Sequence, residues 1–260
     1  MPLFKEGEIM LLNVENKAIP FGEADLIQDV GVSFYSSNPK EMTEGNLLYY
    51  FNRLVQARNT PYENKTDKTI DGKLIDYNKV KLLFIDSSTE MFELMLSYHK
   101  RIYTGKDIRH VYGNFQDEVK TFWNKSNAFQ LPKIYTALPK EIQDETGIIE
   151  RRADVPGQAL SGKFETRFTI ALFCLPDRYA KTPKERYRFL TNTTQGYCAK
   201  SPMNMFDSDY IPNDLGYVYE RVLKLYKKDL NSSYRFPDIL ITGASGSGKT
   251  TSLRSLVCSQ

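Results

Sequence analysis

The residues best suited to do chemistry stand in one string, GASGSGKT, residues 243–250. It fits G-x-x-x-x-G-K-[ST], the loop that wraps a nucleotide's phosphates in backbone amides. Gly243, Gly246 and Gly248 let the backbone turn its N–H groups inward, with Ala244, Ser245 and Ser247 between them and Thr251 just after. Lys249 is spaced to reach the β- and γ-phosphates, and Thr250 to hold Mg²⁺ through its hydroxyl. A chance Gly-Ser turn is the plain alternative, and the context argues against it. The apolar run DILITG leads into the loop, and the helix-compatible TSLRSL leaves it, adding a helix N-terminus that favours phosphate.

A loop of this kind requires an acid at the tip of another strand to organise Mg²⁺ and water. LLFID places Asp86 at the carboxyl end of an apolar run, where α/β sheets hold their ligands, and Ser87 follows it. Taken alone, Asp86 reads nearly as well as a turn residue or helix cap. IMLLNVE puts Glu15 at the tip of a further run, where a carboxylate can polarise the attacking water. By spacing alone an exposed strand-end glutamate is an equal reading. LPKIYTAL offers Thr136 as a sensor of the γ-phosphate, against a hydroxyl satisfied within the sheet. Arg151, Arg152, Gly157, Gly162, Lys163 and Arg167 form a basic run. It suits a neighbouring subunit's nucleotide or DNA phosphates, or simply a solvated face.

These residues need elements to hold them. Buried strands are expected over 8–14, 29–35, 79–87 and 131–138. Helices are expected over 41–58, where Leu47, Leu48, Phe51, Leu54 and Val55 recur at helical spacing, from 88 onward with a Ser88 or Thr89 cap, and over 114–124. The polar stretch 59–79 reads as a surface excursion. Strands alternating with helices indicate a parallel sheet covered on both faces. From 147 to 196 strands and turns dominate, and Phe164, Thr166, Phe168 and Ile170 alternate as in a half-buried antiparallel strand. Residues 185–194 make a second such strand. An amphipathic helix over 214–230, closed by Lys227 and Lys228, precedes the strand at 238–243.

The 260 residues are 41% hydrophobic and 26% charged, ordinary for a globular protein with a sizeable core. A net charge of +3 permits a nucleic-acid partner without demanding one. Three scattered cysteines, Cys174, Cys198 and Cys258, argue against a disulfide scaffold or a zinc site and for a reducing cytoplasm. The first residues do not read as a signal peptide, and no membrane span is expected.

Together the pieces resemble phage-type P-loop ATPases of the AAA/RecA-like class, which accompany viral recombination and single-strand annealing. LLNVENKA is similar to that group's h-h-D-x-E signature, with Asn13 replacing the usual aspartate. FIDSSTEMFEL is similar to its Walker B strand and helix, KIYTALPKE to its sensor strand, and QDETG loosely to a D-x-x-G turn. VPGQALSGKF and TNTTQGYCAKSP resemble its strand-rich tail. The resemblance implies an α/β, RecA-like fold whose mostly parallel central sheet carries an antiparallel β extension. It covers a single domain, 1–260: core elements in 1–146, the β-rich extension in 147–212, and a helix, the first core strand and the P-loop in 213–260. It also implies an ATPase that uses ATP and Mg²⁺, with Asp86 in the Walker B role and Glu15 activating water. A homo-oligomer, with Arg151, Arg152 and Lys163 reaching a neighbour's nucleotide, is implied as well. So are single-stranded DNA or a phage annealing protein as partners, and the host cytoplasm as location. A nucleotide-dependent interaction module with little turnover and a P-loop kinase are the alternatives.

The order of parts departs from that group, because everything it places after its P-loop stands before the loop here. Joining 243–260 to 1–15 restores loop, helix, connection and second strand, so the chain reads as a circular permutant. A fragment cut after its P-loop and an engineered rearrangement are the rival readings.

Overall fold

The computed structural model describes residues 3–128, 130–143, 147–157, 160, 163–177, 180–181, 186–226 and 236–258. Among them ten strands form: β1 (Ile9–Asn13), β2 (Gln28–Gly31), β3 (Leu82–Asp86), β4 (Lys133–Ala137), β5 (Pro139–Gln143), β6 (Ile149–Ala153), β7 (Ile170–Pro176), β8 (Tyr187–Leu190), β9 (Tyr210–Pro212) and β10 (Ile239–Gly243). Eight of them make one sheet in the order β2-β1-β3-β4-β10-β7-β8-β9, and β5 pairs with β6 in a separate hairpin. The six strands from β2 to β7 in that order run parallel, while β8 pairs antiparallel with β7 on one side and with β9 on the other. The fold is therefore α/β with a mostly parallel sheet, as the alternation of elements predicts.

The middle of the sheet is buried on both faces because β1, β3, β7 and β10 are apolar at nearly every position rather than at every second one. Side chains still alternate between faces. Met10, Leu12, Leu83, Ile85, Tyr135 and Leu240 enter one core, and Ile9, Leu11, Leu82, Phe84, Ile134 and Ile241 enter the other. Helices α1 (Leu47–Asn59), α2 (Ser88–Ile102) and α3 (Ile108–Ala128) cover the first face through Phe51, Phe92, Phe115 and Trp123. Helix α4 (Leu215–Tyr226) and the short α5 (Arg254–Val257) cover the second through Val218, Tyr219, Val222 and Leu256.

Four expectations change. The stretch 164–170 is no antiparallel strand: Glu165–Arg167 form a 3-10 turn that buries Phe164 and Phe168 on either side. The strand that follows, β7, is parallel and central, pairing with β10. Helix α1 begins only at Leu47, where the Asn46 side chain accepts from the Leu48 N–H at 3.0 Å, and α3 is longer at both ends than its apolar core suggested. The cap of α2 is Ser87, which accepts from the Glu90 N–H, rather than Ser88 or Thr89. Ser88 and Thr89 instead donate to the carbonyls of Thr136 and Asp154, at 2.6 and 2.8 Å. The polar excursion is anchored, because buried Asp67 accepts from Tyr49 at 2.7 Å and Tyr77 at 3.0 Å. Lys227, Lys228 and Gly162 lie outside the described residues, as do most of QDETG and the start of the 185–194 strand.

Candidate functional site

Parallel strands deliver their carboxyl ends to one edge of the sheet, and the predicted site residues gather there. Asn13 of β1 stands opposite Asp86 of β3, and the next N–H groups, Val14 and Glu15, both donate to the Asp86 carbonyl, at 2.7 and 3.2 Å. Glu15 is thus pinned beside Asp86. On the far side of β4, β10 ends at Gly243 and turns into the glycine loop.

Asp86 is the node. Its Oδ2 accepts from the Thr250 hydroxyl at 2.5 Å, across 164 positions of sequence. Its Oδ1 accepts from the Thr136 hydroxyl. Thr136 is fully buried one strand away and does not line the cleft, so its hydroxyl orients Asp86. The cleft between these groups is about 300 Å³, lined by Glu15, Lys17, Asp86, Tyr187 and loop residues 245–251.

Lys249 lies buried across the loop, where its ammonium donates to the carbonyls of Gly243 at 2.6 Å and Ala244 at 2.9 Å. Burial pulls its pKa below the ordinary lysine value, against the Asp86 and Glu15 charges that favour the cation. For Glu15, burial pushes the pKa up, but the Lys17 ammonium, the Ser87 hydroxyl and Lys249 together hold it below the usual carboxylate range. Beneath the loop, the Cys174 thiol donates to the Ser247 carbonyl at 2.8 Å, and burial pushes its pKa up to about 12. That thiol packs and does not react.

The loop's shape explains its glycines. Gly246 and Gly248 have φ of 72° and 84°, the left-handed region that costs other residues energy. A Cβ on Gly248 would stand 2.7 Å from Asn213 Nδ2 and 2.9 Å from Tyr187 Cδ2. One on Gly243 would meet the Ser247 hydroxyl at 2.6 Å. The segment after the loop is less regular than expected. Thr251–Leu253 form a 3-10 turn before the four residues of α5, so no long helix directly follows the loop among the described residues.

Do these residues fit a nucleotide with Mg²⁺? An ammonium has three N–H donors, and Lys249 directs two at the loop's own carbonyls. Ser247 Oγ is buried with no partner. The cleft's charges balance, Lys17 and Lys249 against Glu15 and Asp86. A polyphosphate would therefore bring negative charge that a cation must offset. Asp86 and Thr250 offer hard oxygens to such an ion. Among the described residues no group of three or more His, Cys, Asp or Glu could hold a metal alone. One carboxylate completed by phosphate oxygens is how Mg²⁺ is usually bound. The residues fit.

The basic residues lie elsewhere. Arg151 pairs with Glu141 at 2.8 Å and lies over the Tyr197 ring, Arg152 pairs with Glu150 at 2.6 Å, and Lys163 is exposed. None lines the cleft. Conversely, Lys17, Tyr187 and Asn213 reach the site without having been singled out. Asn213 Nδ2 donates to the Gly248 carbonyl at 3.0 Å. The only sequence signal for Lys17 is its place two residues after Glu15, whose carboxylate its ammonium contacts. Tyr187 and Asn213 carry none, since β8 and β9 bring them in. Compared with protein-family models, curated proteins and solved structures, the chain has no match.

Proposed function

We propose that the chain binds ATP with Mg²⁺ and hydrolyses it, as a RecA-like P-loop ATPase. The observation that carries this reading is the contact between Thr250 and Asp86, which joins the phosphate loop to the strand-end acid at 2.5 Å. With Mg²⁺ bound, the γ-phosphate would gain a counter-charge and a fixed orientation. Asp86 and Thr250 would hold that ion, and Thr136 would keep Asp86 aimed. Lys249 would exchange the carbonyls of Gly243 and Ala244 for phosphate oxygens and neutralise charge as the terminal P–O bond breaks. Glu15 would orient the attacking water and take its proton.

The circularly permuted order belongs to this proposal. It is supported by the Phe4 N–H donating to the Leu256 carbonyl at 3.0 Å, which sets the early segment against the one after the loop. Action on single-stranded DNA in phage recombination, and a homo-oligomer, rest on the motif resemblance. Among the described residues no helix is long and apolar enough to cross a membrane.

One observation favours a second reading, a nucleotide-dependent module with little turnover: the Glu15 carboxylate is already engaged by Lys17. Phosphate release from ATP, with and without single-stranded DNA, separates the two. Hydrolysis in the parent that is lost in both Lys249→Ala and Glu15→Gln supports the ATPase. ATP binding without release in the parent refutes it in favour of the module.

A further inference from the structure

Past Tyr187 the phosphate cleft continues into a second groove of about 270 Å³, lined chiefly by Asp177, Tyr187, Arg188, Tyr210, Pro212 and Asn213. The two share Tyr187, and Asn213 ties the groove to the loop through the Gly248 carbonyl. The antiparallel strands build it: Tyr187 stands opposite Pro176 at the end of β7, and Arg188 opposite Pro212 of β9.

Direction decides what this groove can hold. Glu15 follows β1 and Asp86 ends β3, both on one side of β10, so the reacting phosphate must face that side. The rest of a nucleotide must then leave across β10 toward β7 and β8. Tyr187 and the groove lie along that path.

We infer that this groove is the base subsite and takes a purine stacked on Tyr187. The inference rests on the phosphate-site reading above. A half-buried ring beside a phosphate loop gives a base a flat apolar partner. The Arg186 guanidinium, 5.6 Å from the ring centroid, is exposed and yields its place to a base. Arg188 walls the far side, 4.1 Å over the Tyr210 ring and 3.6 Å from Asp177. Asn213 supplies polar readout. Its Nδ2 is committed to Gly248, which leaves Oδ1 buried without a partner. A base amino group would supply the missing N–H.

The test measures binding of ATP, UTP and inorganic triphosphate, each with Mg²⁺, to the full chain and to Tyr187→Ala and Tyr187→Phe. Tyr187→Ala is expected to weaken ATP about tenfold or more, the range stacking on an aromatic ring supplies. Tyr187→Phe should restore ATP binding, and Tyr187→Ala should weaken ATP far more than triphosphate, which has no base to stack. UTP, a smaller ring without an amino group, should bind the parent more weakly than ATP. Parallel loss of ATP and triphosphate in Tyr187→Ala would assign the ring to loop support and overturn the inference. Unchanged ATP affinity, or equal ATP and UTP, would place the base elsewhere. A parent that binds neither ATP nor triphosphate sinks the phosphate site itself, and the subsite with it.

Discussion

Two glycines of the 243–250 loop share a backbone conformation but not their surroundings, and this allows a controlled perturbation. Gly246 has φ of 72° with nothing within 4 Å of an added Cβ, whereas Gly248 has φ of 84° and two side chains in the way. Alanine at either position is forced left-handed, at about 1–2 kcal/mol. At Gly248 the Cβ would stand 2.7 Å from Asn213 Nδ2 and 2.9 Å from Tyr187 Cδ2. Asn213 would have to withdraw from the Gly248 carbonyl, losing about 0.5–1.5 kcal/mol. Crowding the Tyr187 ring costs about 1–3 kcal/mol more. Gly248→Ala should therefore exceed Gly246→Ala by about 2 kcal/mol or more. Urea denaturation of the nucleotide-free protein reads the difference directly. If the loop relaxes to escape the clash, the same difference returns as a loss of about 30-fold in ATP affinity. Two variants indistinguishable in both measurements would refute the reasoning, since they would show that Asn213 and Tyr187 do not press on the loop.

Two further outcomes depend on pH. Asp29 of β2 has one carboxylate oxygen buried without a partner, and burial, beyond the relief given by Asn13, raises its pKa from 3.8 to about 6. A raised carboxyl favours the folded state only while protonated, so its contribution is lost as pH climbs from about 4 through about 6. Asp29→Asn should thus stabilise the protein by about 1–2 kcal/mol at pH 7.5, after allowance for partial exposure, and lose that advantage near pH 4 in denaturation curves. Lys249, whose pKa is lowered by burial, must be charged to hold phosphate. ATP affinity should fall with rising pH before the ordinary lysine range is reached, with proton uptake on binding. Calorimetry in two buffers of different ionisation enthalpy checks this.

Much of the site was legible because its chemistry is local. A glycine loop between an apolar strand and a helical turn, and an acid ending LLFID, announce themselves in short strings, and Thr250 meets Asp86 as those strings imply. Strand β7 was misplaced for a physical reason. A strand buried on both faces has no alternation to display, while Phe164 and Phe168 mimic alternation although a 3-10 turn lies between them. The cap of α2 shifted by one residue because Ser88 and Thr89 are used for tertiary bonds to Thr136 and Asp154. Tyr187 and Asn213 were invisible because nothing near them in sequence hints at the loop. Only the pairing of β7 with β8, and β8 with β9, carries them to it.

The position of β10 has a consequence for synthesis. Every other strand of the main sheet precedes it in the chain, yet it fills the place between β4 and β7. Ribosomes release chain at about 5–20 residues per second. The 67 residues from the end of β7 to the end of β10 (243 − 176) therefore take about 3–13 s. During that interval β4 and β7 each present the unpaired edge of a largely apolar strand, of the kind that recruits foreign strands. The arrival of one segment then seals both edges and completes the phosphate loop in the same event. On the proposed function, a nascent chain would bind nucleotide only once its most aggregation-prone surfaces are closed.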